Sequence, residues 1–558
     1  MQHPQTATLL DALALQDSDT PVLTFLHADE TAQPLTRAQF RAAVQRCAAA
    51  LQQQGIGPRD LVIIADTQSV VSIVAFWGAV WLGAIPSMFP TLTEKLDPQI
   101  YMRNMAELVE RSQVRAVLAD ENFVLLFRQH TDARVIALST LVDNGAWDDK
   151  PKYDLPPYAA KPEDIAFLQH SSGTTGLQKG IALSHAAALN QLRHYSAAID
   201  LRDQDVIVSW LPLYHDMGLV AGFLLPFVQG IHLVLMSPFA WVAHPAMLLR
   251  AIHRYGGTLC WLPNFAYNHC ARRIRERDLE GLSLAGVRAF INCSEPVRHE
   301  SHALFVEKFT PLGVTWNQMA VCYAMAENTF AVTQTRIGQP PATEHVSRRA
   351  MESDLCAVSV ADDDPNGVTI VSCGVPITNV EVQAWDAGGL PLPERYIGEI
   401  AIHSDSLLSG YYRRPDLTPL NEAGWYATGD RGYIANGNVF IIGRSKDLII
   451  NAGKNIYPQD IEAIANTISG IHPGRAVVFG VPDDREGTEL LALVAEVSAT
   501  DEAERKKIVQ AVRQAVVSQA EVTLTYVALV ESGWLIKTSS GKIARGENRR
   551  KWQQTLKK

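Results

Sequence analysis

Cysteine is scarce and unpatterned in this 558-residue chain, with seven residues at positions 47, 260, 270, 293, 322, 356 and 373. An odd number with no C-x-x-C pair excludes a disulfide framework or a zinc knuckle as the organising device. It predicts reduced thiols in a cytoplasmic protein. Positive charge is also in deficit: 49 Lys and Arg stand against 59 Asp and Glu, for a net −10. A protein that coats nucleic acid is usually basic, so that class is disfavoured. The amino terminus, MQHPQTATLLDALALQDSD, lacks the basic-then-apolar order of a signal peptide. No internal repeat or low-complexity block occurs. Two stretches, Val70–Phe89 and Met217–Met236, lack Asp, Glu, Lys and Arg and are about long enough to span a bilayer. Gly78, Gly83 and Pro86 interrupt the first, and Gly218, Gly222, Pro226 and Gly230 the second. Each is expected to form a buried helix, a turn and a strand rather than a membrane span.

What is present is an ordinary globular composition, 47% hydrophobic and 19% charged. The length predicts roughly three or four structural units with cores large enough to need no staple. Strand-like runs at Leu61–Asp66, Arg115–Leu118, Arg134–Leu138, Ile165–Gln169, Asp205–Trp210, Leu233–Met236, Thr258–Leu262 and Ala289–Asn292 alternate with helical stretches, such as the one near Val70–Leu82. That alternation predicts α/β layers with largely parallel sheets. From about 366 to 442 the texture changes to short strands and tight turns, and Asn436-Gly437 between apolar runs marks a hairpin. A smaller α/β segment follows, with strands at Ala476–Val481 and Leu490–Val497 and a helix over Asp501–Ala520. The expected fold is α/β: a large N-terminal domain (1–443) of layered subdomains with a β-rich part, a hinge at 444–447, and a small mobile C-terminal domain (448–558).

The segment with the most chemistry runs from Ile165 to Gly180, where a strand ends in Ser171-Ser172-Gly173-Thr174-Thr175-Gly176-Leu-Gln-Lys179-Gly180. Glycines let backbone N–H groups approach an anion, hydroxyls donate to phosphate oxygens, and the lysine adds charge. The Walker A spacing is absent. An open surface loop has the same composition, so phosphate binding is one of two readings of these residues alone.

The loop resembles the phosphate loop of the adenylate-forming superfamily, which comprises acyl-CoA synthetases, luciferases and nonribosomal adenylation domains. Four further segments are similar to family motifs in the same order: Tyr323-Ala324-Met-Ala-Glu327-Asn-Thr329; Gly424-Trp-Tyr-Ala-Thr428-Gly429-Asp430; Gly443-Arg444-Ser-Lys446-Asp447 with Asn455-Ile-Tyr457-Pro458; and Ser539-Ser-Gly541-Lys542-Ile543. The resemblance covers nearly the whole chain. It implies a reaction that joins a carboxylate to ATP, giving an acyl-adenylate and pyrophosphate. It also implies that Lys542 supplies positive charge at the α-phosphate, that Glu327 holds Mg²⁺, that Asp430 and Arg444 hold the ribose, and that Lys446 marks the hinge. Tyr323, Ala324 and the turn Asn292-Cys293-Ser294-Glu295-Pro296 would flank adenine. Without the resemblance, Lys542 reads as a surface lysine, Glu327 as an exposed helix acid and Asp430 as a turn residue.

Three features resemble the fatty acyl-AMP ligases, which hand the acyl group to a phosphopantetheine thiol on an acyl carrier protein. The first is Ser209-Trp-Leu-Pro-Leu-Tyr-His215-Asp216-Met217-Gly218-Leu219, which implies that His215 sits beside the substrate carboxylate; a structural histidine is the alternative. The second is Leu262-Pro-Asn264-Phe265-Ala-Tyr267 with Glu295-Pro-Val-Arg298. The resemblance makes Asn264, Phe265, Tyr267, Met217 and Gly218 acyl-pocket residues, although apolar stripes also form plain core. The third is the long connection from Glu327 to Ser372-Cys373-Gly374, similar to an insertion associated with poor use of free CoA; as physics it is a long polar loop. Departures from the patterns fall at Ala324, Cys293-Ser294 and Asn451-Ala-Gly453-Lys454, the last similar to CoA ligases.

The expected activity is therefore ATP- and Mg²⁺-dependent activation of a fatty acid and loading of a carrier protein. An acyl- or aryl-CoA ligase is one alternative, and a non-catalytic acyl- or nucleotide-binding module is another. Charge is uneven: Leu535–Lys558 carries eight Lys or Arg and one Glu. This basic tail is either a docking surface for an acidic carrier protein or a solvated end.

Overall fold

The computed structural model describes residues 6–14, 19–92, 98–142, 147, 155–170, 179–451, 454–483, 488–520, 522–538 and 541–555. The expected strands form, most shifted by a residue or so at their ends, whereas the one expected at Ala476–Val481 runs from Ile471 to Asp483. Leu61–Ala65, Ile85–Phe89, Ala116–Ala119 and Arg134–Ala137 make an all-parallel four-stranded sheet. The larger sheet has nine strands, in the spatial order 375–376, 331–334, 319–324, 289–292, 259–262, 206–209, 232–236, 21–26, 32–36. Its interior is parallel, whereas both edges are antiparallel. The sheets are thus largely parallel as expected, the antiparallel pairs of the larger sheet lying at its two edges.

The two uncharged stretches resolve as expected. Val70–Trp81 is a helix capped by Ser69 and followed by the strand Ile85–Phe89. Met217–Leu224 is a π-helical turn that continues as the helix Leu225–Gln229 and the strand His232–Met236. Both helices are apolar on every face because both are buried between sheets. Phe76 and Trp77 meet Phe223 at ring distances of 5.9 and 6.3 Å, and Phe227 packs on Phe40 at 4.5 Å. These rings join three helices, each buried ring contributing on the order of 1.5–3 kcal/mol. No helix among the described residues is long and apolar enough to cross a membrane.

The β-rich part is a four-stranded antiparallel sheet of Val380–Trp385, Gly398–Ser404, Tyr426–Ala435 and Asn438–Arg444. Its last hairpin turns at Asn436 (φ 51°) and Gly437 (φ 73°), the pair of positive φ values that an Asn-Gly turn of type I′ requires. The long connection is an ordered unit. Thr343–Ser347 pairs with Gly367–Val371, and the helix Arg348–Ser353 sits between them in sequence. Beyond Ser445–Asp447 the chain builds a separate three-stranded sheet, Ile471–Asp483, Thr488–Val497 and Leu524–Val530, covered by the helix Glu502–Ala520 and with its own apolar core.

Candidate active site

The strands Val206–Ser209, Leu259–Leu262, Ala289–Asn292 and Met319–Ala324 are parallel neighbours. After 206–209 the chain adds 232–236 on one side, then returns to lay 259–262 on the other. Such a reversal leaves a crevice at the carboxyl ends of the strands, where open α/β sheets hold ligands. His215, Asn264, Ser294, Glu295 and Glu327 all lie on the connections leaving those ends.

The first connection carries His215 and Asp216, whose Nδ1 and Oδ1 are 3.6 Å apart. Asp216 also accepts the Met217 N–H at 2.8 Å, fixing the entry to the π-helical turn. Gly218 is there because nothing larger fits: a Cβ on it would stand 2.2 Å from the Pro212 carbonyl oxygen. Burial pushes the Asp216 carboxyl up, but the His215 hydrogen bond and charge and the Lys542 ammonium hold it below the usual range. Lys542 belongs to the far end of the chain, in a turn closed by the Thr538 N–H donating to the Lys542 carbonyl at 2.7 Å. Asp216 is thus paired with His215 and feels the more distant charge of Lys542.

Glu327 lies in the short turn Ala326–Asn328 after the strand Met319–Ala324. Burial pushes its carboxyl up, opposed by Arg444 and by a hydrogen bond from Tyr426 and reinforced by Asp216. Thr329 closes this turn with φ 62°, a costly conformation for a β-branched residue, held by its hydroxyl donating to the Ser406 carbonyl at 2.8 Å. Ser294 also has positive φ, at 69°. Two of the four connections thus store backbone strain.

Asp430 and Arg444 are cross-strand partners in the hairpin register. Arg444 Nε donates to Asp430 Oδ1 at 2.9 Å, and the Tyr323 hydroxyl donates to Oδ2 at 2.7 Å. Asp430 in turn raises the Arg444 pKa. Each carboxylate oxygen keeps a lone pair, so a ribose hydroxyl can still be accepted. Lys446 is drawn below the ordinary lysine range by burial, by Arg444 and, among smaller causes, by Lys179. Lys179 itself lies over the Tyr411 ring at 4.7 Å. Ser171, Ser172, Gly173, Thr174, Thr175 and Gly176 fall outside the described residues.

The acyl-pocket residues divide. Met217 Sδ lies 3.9 Å from the Ser294 hydroxyl, joining the first and third connections. Phe265 is 42% exposed. Asn264 is committed to structure: Oδ1 accepts from Asn292 Nδ2 and from the Arg298 N–H, both at 3.1 Å, and Nδ2 donates to Ser301. Tyr267 is fully buried, packed against His302 and Phe305. Glu295 accepts the Phe265 N–H at 2.8 Å, tying the turn beside Ser294 to the helix Asn264–Arg273. Pro296 is exposed and Ala324 half-buried.

Sequence reasoning missed Asp216 as the partner of His215, and missed Tyr426 beside Glu327. Both had a signal: an acid adjoining the chosen histidine, and a tyrosine inside the Gly424–Asp430 motif. It also missed the contacts of Arg298 and of the insertion with the C-terminal segment. Asp460 pairs with Arg298 at 3.4 Å and with Arg348 at 3.7 Å, and Asn455 Nδ2 donates to the Glu352 carbonyl at 3.1 Å. The basic tail is less free than its composition implies. Arg545 pairs with Glu462, and Lys551 donates to the Trp534 carbonyl at 2.6 Å while lying over that ring.

Residues 10–412 match the model of the AMP-binding enzyme family. The chain is 30% identical to the long-chain-fatty-acid–AMP ligase FadD32 of Mycolicibacterium smegmatis, over 93% of this chain and 88% of that one. It is 29% identical to the medium-chain-fatty-acid–[acyl-carrier-protein] ligase JamA of Moorena producens, over 99% and 96%. Among solved structures it superposes with a TM-score of 0.91 on one from studies of fatty acyl-adenylate ligases of E. coli and L. pneumophila, at 29% identity and 99% coverage of both chains. The L. pneumophila enzyme in complex with acyl adenylate and pyrophosphate superposes at 0.75, with 28% identity and coverage of 98% and 96%. The ordered motifs, the crevice at the strand reversal and these likenesses agree: the chain belongs to the AMP-binding enzyme family and is an adenylate-forming ligase.

Proposed function

We propose that this ligase activates a fatty acid with ATP, releasing pyrophosphate, and then passes the acyl group to the phosphopantetheine thiol of an acyl carrier protein. The observation that carries the first step is the His215–Asp216 pair on the connection at the strand reversal, on a chain whose motifs follow the family order. Two anions, carboxylate and triphosphate, must meet, and the charge that builds at the α-phosphate needs a fixed cation in a water-poor crevice. Lys542, in the turn closed by the Thr538 N–H, supplies that cation. His215 lies beside the acid's carboxylate. Asp430 and Arg444 hold the ribose, and Tyr323 with the Ser294–Pro296 turn flanks adenine. Lys179 and residues 171–176 receive the phosphates.

Mg²⁺ fits Glu327, whose buried carboxyl lacks a full counter-charge. Among the described residues no set of three or more His, Cys, Asp or Glu forms a protein-only cage. A nucleotide-borne ion that takes one carboxylate and several phosphate oxygens suits this setting. When bound, it supplies charge neutralisation of the departing pyrophosphate.

The thiol step requires the segment 448–558 to turn about Lys446 and open the crevice. Support for a carrier protein over free CoA comes from the insertion, which grips that segment through Arg348–Asp460 and Glu352–Asn455 and so restrains its swing. The Asn451–Lys454 segment favours the second reading, a CoA ligase. The test offers pre-formed acyl-adenylate either CoA or holo carrier protein. Carrier loading with little acyl-CoA is expected; efficient acyl-CoA formation without carrier loading overturns the acceptor.

A further inference from the structure

We propose that Asn548 is a positioning residue for adenylation: its buried side-chain amide clamps the base of the turn that carries Lys542 and so fixes where that ammonium stands. The inference rests on fatty-acid activation and on the role given to Lys542 in that step.

The stems of the turn meet in an antiparallel bridge between Lys537 and Ile543. Above it the Thr538 N–H donates to the Lys542 carbonyl at 2.7 Å and the Gly541 N–H to the Thr538 carbonyl at 2.8 Å. Gly541 has φ 83°, a left-handed conformation that glycine takes without strain. Below the bridge both stems meet Asn548, on the first turn of the helix Arg545–Thr555. Its Oδ1 accepts the Ile536 N–H at 2.8 Å, and its Nδ2 donates to the Ile536 carbonyl at 2.8 Å and to the Ala544 carbonyl at 2.9 Å. The Ala544 N–H completes the clamp by donating to the Ile536 carbonyl at 3.0 Å.

The amide acts as a detached peptide unit, meeting both hydrogen-bonding groups of Ile536 as a neighbouring strand would. One N–H on its oxygen side and two carbonyls on its nitrogen side fix which atom is which. Asn548 is 0% exposed, so bulk water does not replace a lost bond. A lysine reaches its target on a flexible four-carbon stem, and the backbone beneath it is the part that the fold holds still. The clamp also ties the turn to the rest of the C-terminal segment. Arg545, beside Ala544, pairs with Glu462 and, at 3.9 Å, with Asp447, the neighbour of Lys446. Trp552 packs the same helix on Phe479 and Tyr526, at ring distances of 5.5 and 5.3 Å. Asn548 therefore joins the Lys542 turn to a helix anchored both beside Lys446 and on the C-terminal sheet. A turn released at its base misplaces the ammonium, and a misplacement of about 1 Å costs on the order of 10²-fold in rate.

The experiment follows fatty-acid-dependent ATP–pyrophosphate exchange by the full-length protein and its Asn548→Leu, Lys542→Ala and doubly substituted variants. Leucine is close to asparagine in shape and removes every bond that the amide makes. Asn548→Leu is expected to lower kcat about tenfold or more, with the KM for ATP and for the acid within about twofold of wild type. In the Lys542→Ala background the same substitution is expected to add nothing, because the clamp then has no ammonium to place. Asn548→Ser leaves room for a bridging water and reads the same effects, in smaller measure, if the leucine variant does not fold. An unchanged kcat in a folded Asn548 variant, a loss carried by KM instead, or the same fold-loss with and without Lys542 overturns the clamp while leaving fatty-acid activation intact. Exchange that Lys542→Ala leaves undiminished overturns the role of Lys542 and the clamp with it. Failure of the wild type to exchange with any fatty acid overturns the fatty-acid reading and the clamp that rests on it.

Discussion

Two carboxylates in the crevice are moved in opposite directions by their surroundings. Asp216 is held low against burial by His215 and Lys542, while Glu327 is pushed up by burial with Arg444 only partly opposing. The first is therefore a ready anion beside His215, and the second is an acid that a cation would favour. Replacing Lys542 with alanine is expected to lower acyl-adenylate formation by about 10²-fold or more, measured by ATP–pyrophosphate exchange. It should also let the Asp216 pKa rise, since one of the charges holding it down is gone. Tyr323→Phe removes the donor to Asp430 Oδ2. A loss of about 1–3 kcal/mol is expected, read as a higher KM for ATP with little change for the acid. At this scale the sequence was most informative where residues stood in family-like motifs: Asp430, Arg444 and Tyr323 meet as a cluster. It was silent where partners lie far apart in the chain. Nothing in a local pattern pairs Asp460 with Arg298, or Asn455 with Glu352.

Among elements, the Asn436-Gly437 hairpin and the Val70–Trp81 helix were legible because their signals are local: a turn dipeptide of known φ demand and an uncharged run capped by Ser69. The π-helical turn Met217–Leu224 was not, because its register is set by the fit of Gly218 against Pro212 rather than by periodicity. Ser294 and Thr329 gave no hint of positive φ, since neither residue type signals it. The insertion read as a polar loop because its two short strands pair only across their intervening helix. Gly218→Ala is expected to force the turn away from Pro212, destabilising the protein by roughly 1–3 kcal/mol and raising the KM for the acid through His215. Thermal denaturation and steady-state kinetics check both parts.

For the whole molecule, acid stability follows from buried imidazoles. Burial lowers the pKa of His170, His185 and His302 to about 4 each. In the unfolded chain they titrate near ~6.5, so between the two values the unfolded state binds protons that the folded state refuses. Their stabilising contribution is complete above the unfolded pKa and is lost as pH falls towards 4, by up to about 1.4 kcal/mol per pH unit for each histidine. Urea denaturation from pH 7 to 5 should show this decline, and His185→Gln should make it shallower by about one proton. The contacts between the insertion and the C-terminal segment set a second global property. Asp460→Ala breaks both arginine pairs. It is expected to speed amide hydrogen exchange in the helices Pro458–Ala465 and Arg348–Ser353, an effect that high salt mimics in the parent protein.

The strand Pro21–Leu26 pairs in parallel with His232–Met236. During synthesis it must wait for its partner, at about 5–20 residues per second, for a time on the order of ten to forty seconds. The sheet from Leu61 to Ala137 meets no such delay, since all four of its strands lie within that interval. The nascent chain therefore carries a finished small sheet and an apolar strand paired with Ala32–Thr36 on one edge and open on the other. That strand is a natural first client for a holding chaperone, and trimming the first forty or so residues would open the edge of the nine-stranded sheet rather than remove a dispensable tail.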